Sequence, residues 1–183
     1  MSALLEAATK LFAERGPAAV SLRDVANEAN VNLGLIHRYI GSKDDLLAAV
    51  LSARPGYPPP DADALRSADQ IADVVLDLIQ TDAAYGRIML RAALDGFDIG
   101  RLQRTFPVLE RAAKVAGREL PRRDADVRIA VLASVALSWQ SIGAAMLDVL
   151  KQRDMTHDDV VAALRPALAA FIAAAPTTRD GDA

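Results

Sequence analysis

Between Ser21 and Lys43 the chain spells two short helices joined by a turn that few residues can make, and this stretch limits the fold more than any other. Ser21 is placed to cap a helix whose apolar residues Leu22, Val25, Ala26 and Ala29 recur at i, i+3, i+4 and i+7, on one face. Asn30 follows the last of them, and asparagine tolerates the left-handed backbone that ends one helix and starts a turn. Asn32 can then cap a second helix. In it Leu35, Ile36 and either Tyr39 or Ile40 are expected to face the core, leaving Leu33, Gly34, His37 and Arg38 to a partner. A short helix exposing such a mixture suits a DNA major groove, so double-stranded DNA is the first partner expected.

The pattern extends on both sides of the turn. Leu4, Leu5, Ala8, Leu11 and Phe12 form an apolar stripe that ends in Glu14-Arg15-Gly16, with glycine placed to stop a helix. Downstream, Gly41-Ser42-Lys43-Asp44-Asp45-Leu46-Leu47 opens a further helix. Together these segments resemble the tetracycline-repressor (TetR) family of bacterial transcription regulators, over roughly residues 4 to 51. Asn30 stands where the family usually has Gly, His37 where it has Tyr, and Ile40 where it has Phe.

The resemblance implies an all-α protein: an N-terminal three-helix helix-turn-helix DNA-binding domain over 1–51, a linker over 52–68, and a C-terminal helical ligand-binding and dimerisation domain over 69–176. It also implies residue roles. Lys43 and the Tyr39 hydroxyl are matched to phosphates, Arg38 to a guanine edge, Leu33 to a thymine methyl, and Gly34 to close approach. Ser21 and Arg23, at the start of the supporting helix, are matched to the DNA backbone. Asn32 and His37 complete the expected interface. The plainer alternative places Tyr39 and Leu35 in the core and leaves His37 and Arg38 merely solvated.

Composition agrees with helices. Of 183 residues, 52% are apolar and only 4% aromatic, which suits close-packed Ala, Leu and Val better than a sheet. The absence of cysteine rules out disulfides and thiolate metal sites. The apolar residues are dispersed, so no membrane span is expected, and the N-terminus lacks the basic-then-apolar run of a signal peptide. A cytoplasmic location is expected. Charge is the one contrary sign: the net value is −3, and residues 1–51 carry five basic against six acidic side chains. A nonspecific DNA coat would be basic. A specific reader needs only a local basic face, here Arg23, His37, Arg38 and Lys43, with few phosphate contacts and a shallow salt slope.

Residues 54–61, Arg-Pro-Gly-Tyr-Pro-Pro-Pro-Asp, cannot continue a helix and mark the linker. Beyond them helical periodicity returns, and Gly96, Gly100 and Pro107 predict short or broken helices over 95–121. Helices over about 125–150 and 157–174 are rich in apolar and small residues on more than one face, and by the resemblance they pair with those of a second subunit. Met89, Phe97, Trp139, Ile142 and Met146 are the expected lining of a pocket for a small-molecule, possibly apolar, effector. The function these readings imply is a homodimeric regulator, a repressor on a palindromic operator released by its ligand. The alternative is a helical small-molecule-binding module that has lost DNA affinity. His37 and His157 lie far apart and no glycine-rich phosphate loop occurs, so no catalytic constellation forms; neither an enzyme nor a cofactor is expected.

Overall fold

The computed structural model describes residues 2–53, 64–81, 83–103 and 106–173. They form helices α1 (Ser2–Arg15), α2 (Leu22–Glu28), α3 (Leu33–Tyr39), α4 (Lys43–Ser52), α5 (Ala68–Thr81), α6 (Ala83–Leu94), α7 (Ile99–Leu102), α8 (Pro107–Ala116), α9 (Arg122–Val149) and α10 (His157–Ala173), with no strand among the described residues. Residues 54–63, with the proline-rich run, and the last ten residues lie outside this set, so most of the linker expected over 52–68 is not described.

Local chemistry sets the ends of the first helices. Ser21 caps α2 through a reciprocal pair: its hydroxyl accepts the Asp24 N–H at 3.1 Å, and its own N–H donates to the Asp24 carboxylate at 2.8 Å. Ser42 and Asp45 repeat this at the start of α4, at 3.1 and 2.8 Å. Asn30 adopts φ +52°, as expected from its place in the turn. There the Asn30 N–H donates to Asn27 O and the Val31 N–H to Ala26 O, so α2 closes its last turn before the chain enters α3.

The two capping carboxylates are held below the ordinary aspartate range, chiefly because the serine hydroxyl donates to each and then because the serine N–H does. A depressed folded-state value stabilises the fold at pH above the ordinary value of about 4 and loses that contribution as pH falls through the folded value. Ser42→Ala removes the side-chain cap of α4, a loss that commonly costs about 1 kcal/mol near neutrality. It should also flatten the acid limb of a melting-temperature profile below about pH 4. A profile parallel to that of the parent would show that the cap contributes nothing in acid.

The helices cluster into two compact units. The first holds α1–α4 together with α6 and α7, although α5 intervenes in sequence. Here α1 packs on α2, α4 and α6, α2 packs on α3, and α7 packs on α4 and α6. Phe12, Val25, Ile36, Leu46, Leu47, Leu51 and Ile88 are its sealed core. The second unit holds α5, α8, α9 and α10. In it α5 packs on α9 and α10, and α8 packs on α9. Ile71, Val75, Val108, Ile129, Leu132, Leu168 and Ile172 fill the interior. Pro107 opens α8, where its missing N–H would have no helical partner anyway, and α7 and α8 are the short helices predicted over 95–121.

One helix bears on the expectation that no membrane span occurs. α9 is long and apolar enough, by length and composition, to cross a membrane, although only 22% of its most apolar window is buried. Its charged side chains sit near the two ends, at Arg122, Arg123, Asp124, Asp126, Arg128 and Asp148, so the stretch 129–147 between them has none.

Candidate nucleic-acid interface

The second helix of the helix-turn-helix, α3, is anchored by one fully buried side chain, Ile36 at 1% exposure, with Ile40 partly covered beyond it. Helical periodicity puts Gly34 and Arg38 opposite that pair, with Leu35 and Tyr39 on one flank and Leu33 and His37 on the other. Exposure follows this geometry. Gly34, His37 and Arg38 are exposed and Leu33 is half-buried. Leu35 and Tyr39 are also exposed, at 49% and 65%, which corrects the expectation that Leu35 faces the core and leaves Ile40, not Tyr39, beside Ile36. On a two-turn helix one buried row is enough, and α2 selects the row of Ile36.

Asn32 caps α3, its side-chain oxygen accepting the Gly34 N–H at 2.7 Å. The Arg38 guanidinium lies over the Tyr39 ring at 5.6 Å. Arg23, on α2, is exposed, and neither it nor Arg38 enters an ion pair among the described residues. The nearby carboxylates are engaged elsewhere: Asp24 and Asp45 in their caps, and Glu28 with Lys10 at 2.7 Å. The net acidity of this segment therefore does not fall on the exposed face of α3, where charge is positive.

Two of the expected backbone contacts have internal partners. The Ser21 hydroxyl donates to the Asp24 carboxylate at 2.7 Å. The Lys43 ammonium donates to the carbonyls of Pro17 and Ala18 at 2.9 and 3.3 Å and sits 5.9 Å from the centre of the Phe97 ring. Lys43 thus pins the turn between α1 and α2. The same turn is held from α6 and the residue after its end. Arg91 donates to Glu14 O at 3.0 Å, and Asp95 accepts the Ala18 N–H at 3.3 Å. Gly16 lies between them with φ +86°, a conformation that a side chain would strain, and an added Cβ would stand 3.4 Å from the Arg91 side chain. The residues that hold this turn were legible only as separate helix ends; nothing local marks their meeting.

The five residues expected to line a ligand pocket divide between the two units. Met89 is buried in the first unit, and Phe97 in the same unit borders a cavity of about 500 Å³ whose wall is mostly polar, including Asp44, Asp95, Asp98 and Arg101. In the second unit Trp139 is half-buried, while Ile142 and Met146 are exposed. The apolar cleft of that unit is different: it measures about 30 Å³ and is walled by α5, α8 and α9 through Ile71, Val75, Leu78, Val108, Ile129 and Leu132. Size and polarizability carry no information about which face of a helix a side chain occupies.

Residues 4–50 match the family described as "Bacterial regulatory proteins, tetR family". Over 175 residues the chain is 34% identical to the HTH-type transcriptional repressor Rv3405c of Mycobacterium tuberculosis, covering 93% of this chain and 88% of that protein. A shorter match, 46% over 48 residues, is to the HTH-type transcriptional regulator HbdR of an Aromatoleum species, covering 26% of this chain and 21% of that one. Among solved structures the fold is similar to that of Mycobacterium smegmatis BioQ, with TM-score 0.64 and 18% identity over 93% of this chain and 96% of that one. It is also similar to that of the regulator FadR of Bacillus subtilis, solved with stearoyl-CoA, with TM-score 0.64 and 16% identity over 94% and 97%.

Proposed function

Because the chain belongs to the TetR family of helix-turn-helix transcription regulators, we propose that it is a repressor that binds a palindromic operator as a homodimer and leaves it when a small molecule binds. The observation that carries this reading is the pairing of one cationic recognition helix with a long apolar face left exposed among the described residues. On α9, Val127, Val131, Val135, Ile142, Met146 and Val149 are all exposed, and their spacing places them on one stripe; Phe171 is exposed on α10. A contiguous exposed stripe of this kind supports an interface between two copies of the chain. Two copies would present two recognition helices, as a palindrome requires.

In this reading residues 1–51 read DNA, 69–176 hold the effector and the dimer contact, and 52–68 link them; the protein acts in the cytoplasm. The effector is small and apolar, and the cleft walled by α5, α8 and α9 supports that class better than the five residues expected from sequence. The cleft is narrower than a ligand, so binding would spread those helices. α6 follows α5 directly in the chain and ends at the turn that Lys43 pins. A shift of α6 would act on Asp95 and Arg91, and so on the start of α2.

Selection of random and genomic duplexes by the purified protein at about 0.1 M salt tests the operator reading. Enrichment of a palindrome with half-sites about one helical turn apart, 34–36 Å, is expected. Enrichment of nothing at any salt would favour the binding module without DNA affinity.

On the selected duplex, Arg38→Ala should relax the preference at one base pair per half-site by about 1–3 kcal/mol. Lys43→Ala should weaken all duplexes alike and also lower the melting temperature, because it frees the Pro17 and Ala18 carbonyls. A fully retained melting temperature would show the two hydrogen bonds to be dispensable.

A further inference from the structure

We propose that Leu35 is a specificity determinant that reads the C5-methyl group of a thymine in each half-site. The inference rests on the operator-reading function above and concerns a residue whose sequence pattern pointed to the core. Leu35 lies on α3 with half of its surface exposed, one turn before exposed Tyr39 and one turn after exposed Val31. Helical periodicity sets it beside Gly34 and Arg38, the two positions opposite the buried row. The exposed face of α3 therefore presents an apolar side chain on one flank, with a cation next to it.

The first turn of α3 reads Leu33-Gly34-Leu35-Ile36, and none of these side chains can donate or accept a hydrogen bond. Base edges opposite that turn cannot be distinguished by hydrogen bonds to side chains. The apolar feature that the major groove offers on an unmodified base is the thymine methyl. Gly34 adds access. Its missing side chain leaves the helix surface low beside Leu35, and an added Cβ would press on the Asn32 cap oxygen at 3.1 Å. Arg38, on the neighbouring row, supplies the charge that draws this face towards the duplex, while the Tyr39 ring extends the apolar row beneath the Arg38 guanidinium.

The test uses the full-length protein and the duplex that it selects. Each thymine of the half-site is replaced in turn by deoxyuridine in both halves, which removes only the methyl group, and Kd is measured for the parent and for Leu35→Ala. One replacement should weaken the parent by about fourfold per half-site. In Leu35→Ala the same thymine and uracil duplexes should bind alike, with the melting temperature of the protein unchanged. Parent affinity indifferent to every uracil replacement would overturn the assignment while leaving the operator reading intact. So would a Leu35→Ala protein that keeps the parent's sensitivity. Failure to select any duplex would overturn both.

Discussion

Replacing Val135 and Ile142 together by glutamate should convert the protein to a monomer and weaken operator binding by at least about a hundredfold. Both side chains lie mid-helix on the exposed stripe of α9, at 43% and 50% exposure, two turns apart. In a two-fold dimer each substitution occurs twice, so four carboxylates would enter one apolar contact. Burying an unpaired charge costs several kcal/mol each, whereas the isolated subunit leaves the same groups in water at almost no cost. The variant should therefore keep its helical circular dichroism and its sealed core while losing self-association. Operator affinity falls because the second recognition helix no longer arrives tethered, and tethering commonly contributes a factor of about 10²–10⁴. Sedimentation equilibrium and a binding titration on the selected palindrome decide the matter. A variant that remains dimeric would place the interface elsewhere. One that is monomeric with full affinity would sever dimerisation from DNA binding.

The parts of this fold that were readable from sequence are those that local chemistry decides. Ser21 with Asp24 and Ser42 with Asp45 make their caps within four residues, and Asn30 turns the chain with a backbone conformation that its own side chain tolerates. For the same reason the helix-turn-helix and its flanking helices are legible in the sequence.

What escaped is what distant partners decide. α3 carries two usable apolar rows, Ile36 with Ile40 and Leu35 with Tyr39, and the choice between them belongs to α2. α9 is apolar nearly all round, so periodicity could not assign Ile142 and Met146 to an outer face. Lys43 matched a phosphate-binding position, and nothing local marked that its ammonium also meets carbonyls from residues 17 and 18. The clustering of α6 and α7 with α1–α4 left no mark in the linear order, since α5 separates them in the chain. Each miss concerns a direction in space, which composition and spacing leave open.

The contrast between Ile36 and its neighbour Leu35 yields the second large effect. Ile36→Ala should lower the stability of the first unit by about 2–5 kcal/mol, the usual range for emptying a sealed isoleucine site. Leu35→Ala should change stability by less than about 0.5 kcal/mol, because half of that side chain is already in water. A seven-residue helix does not persist alone, so α3 owes its order to docking on α2, and Ile36 is its only fully buried contact. Loosening it should therefore weaken every duplex, specific or not. Each 1.4 kcal/mol of lost docking that exceeds the reserve of the native state removes about a factor of ten from the competent population. Ile36→Val, which removes one methylene, should lie between, at about 0.5–1.5 kcal/mol. Urea titrations of the three variants, each paired with a duplex titration, supply the comparison. If Ile36→Ala and Leu35→Ala prove equally stable, α3 is held by something other than its buried row, and the division of its faces into an anchor and a reader fails with it.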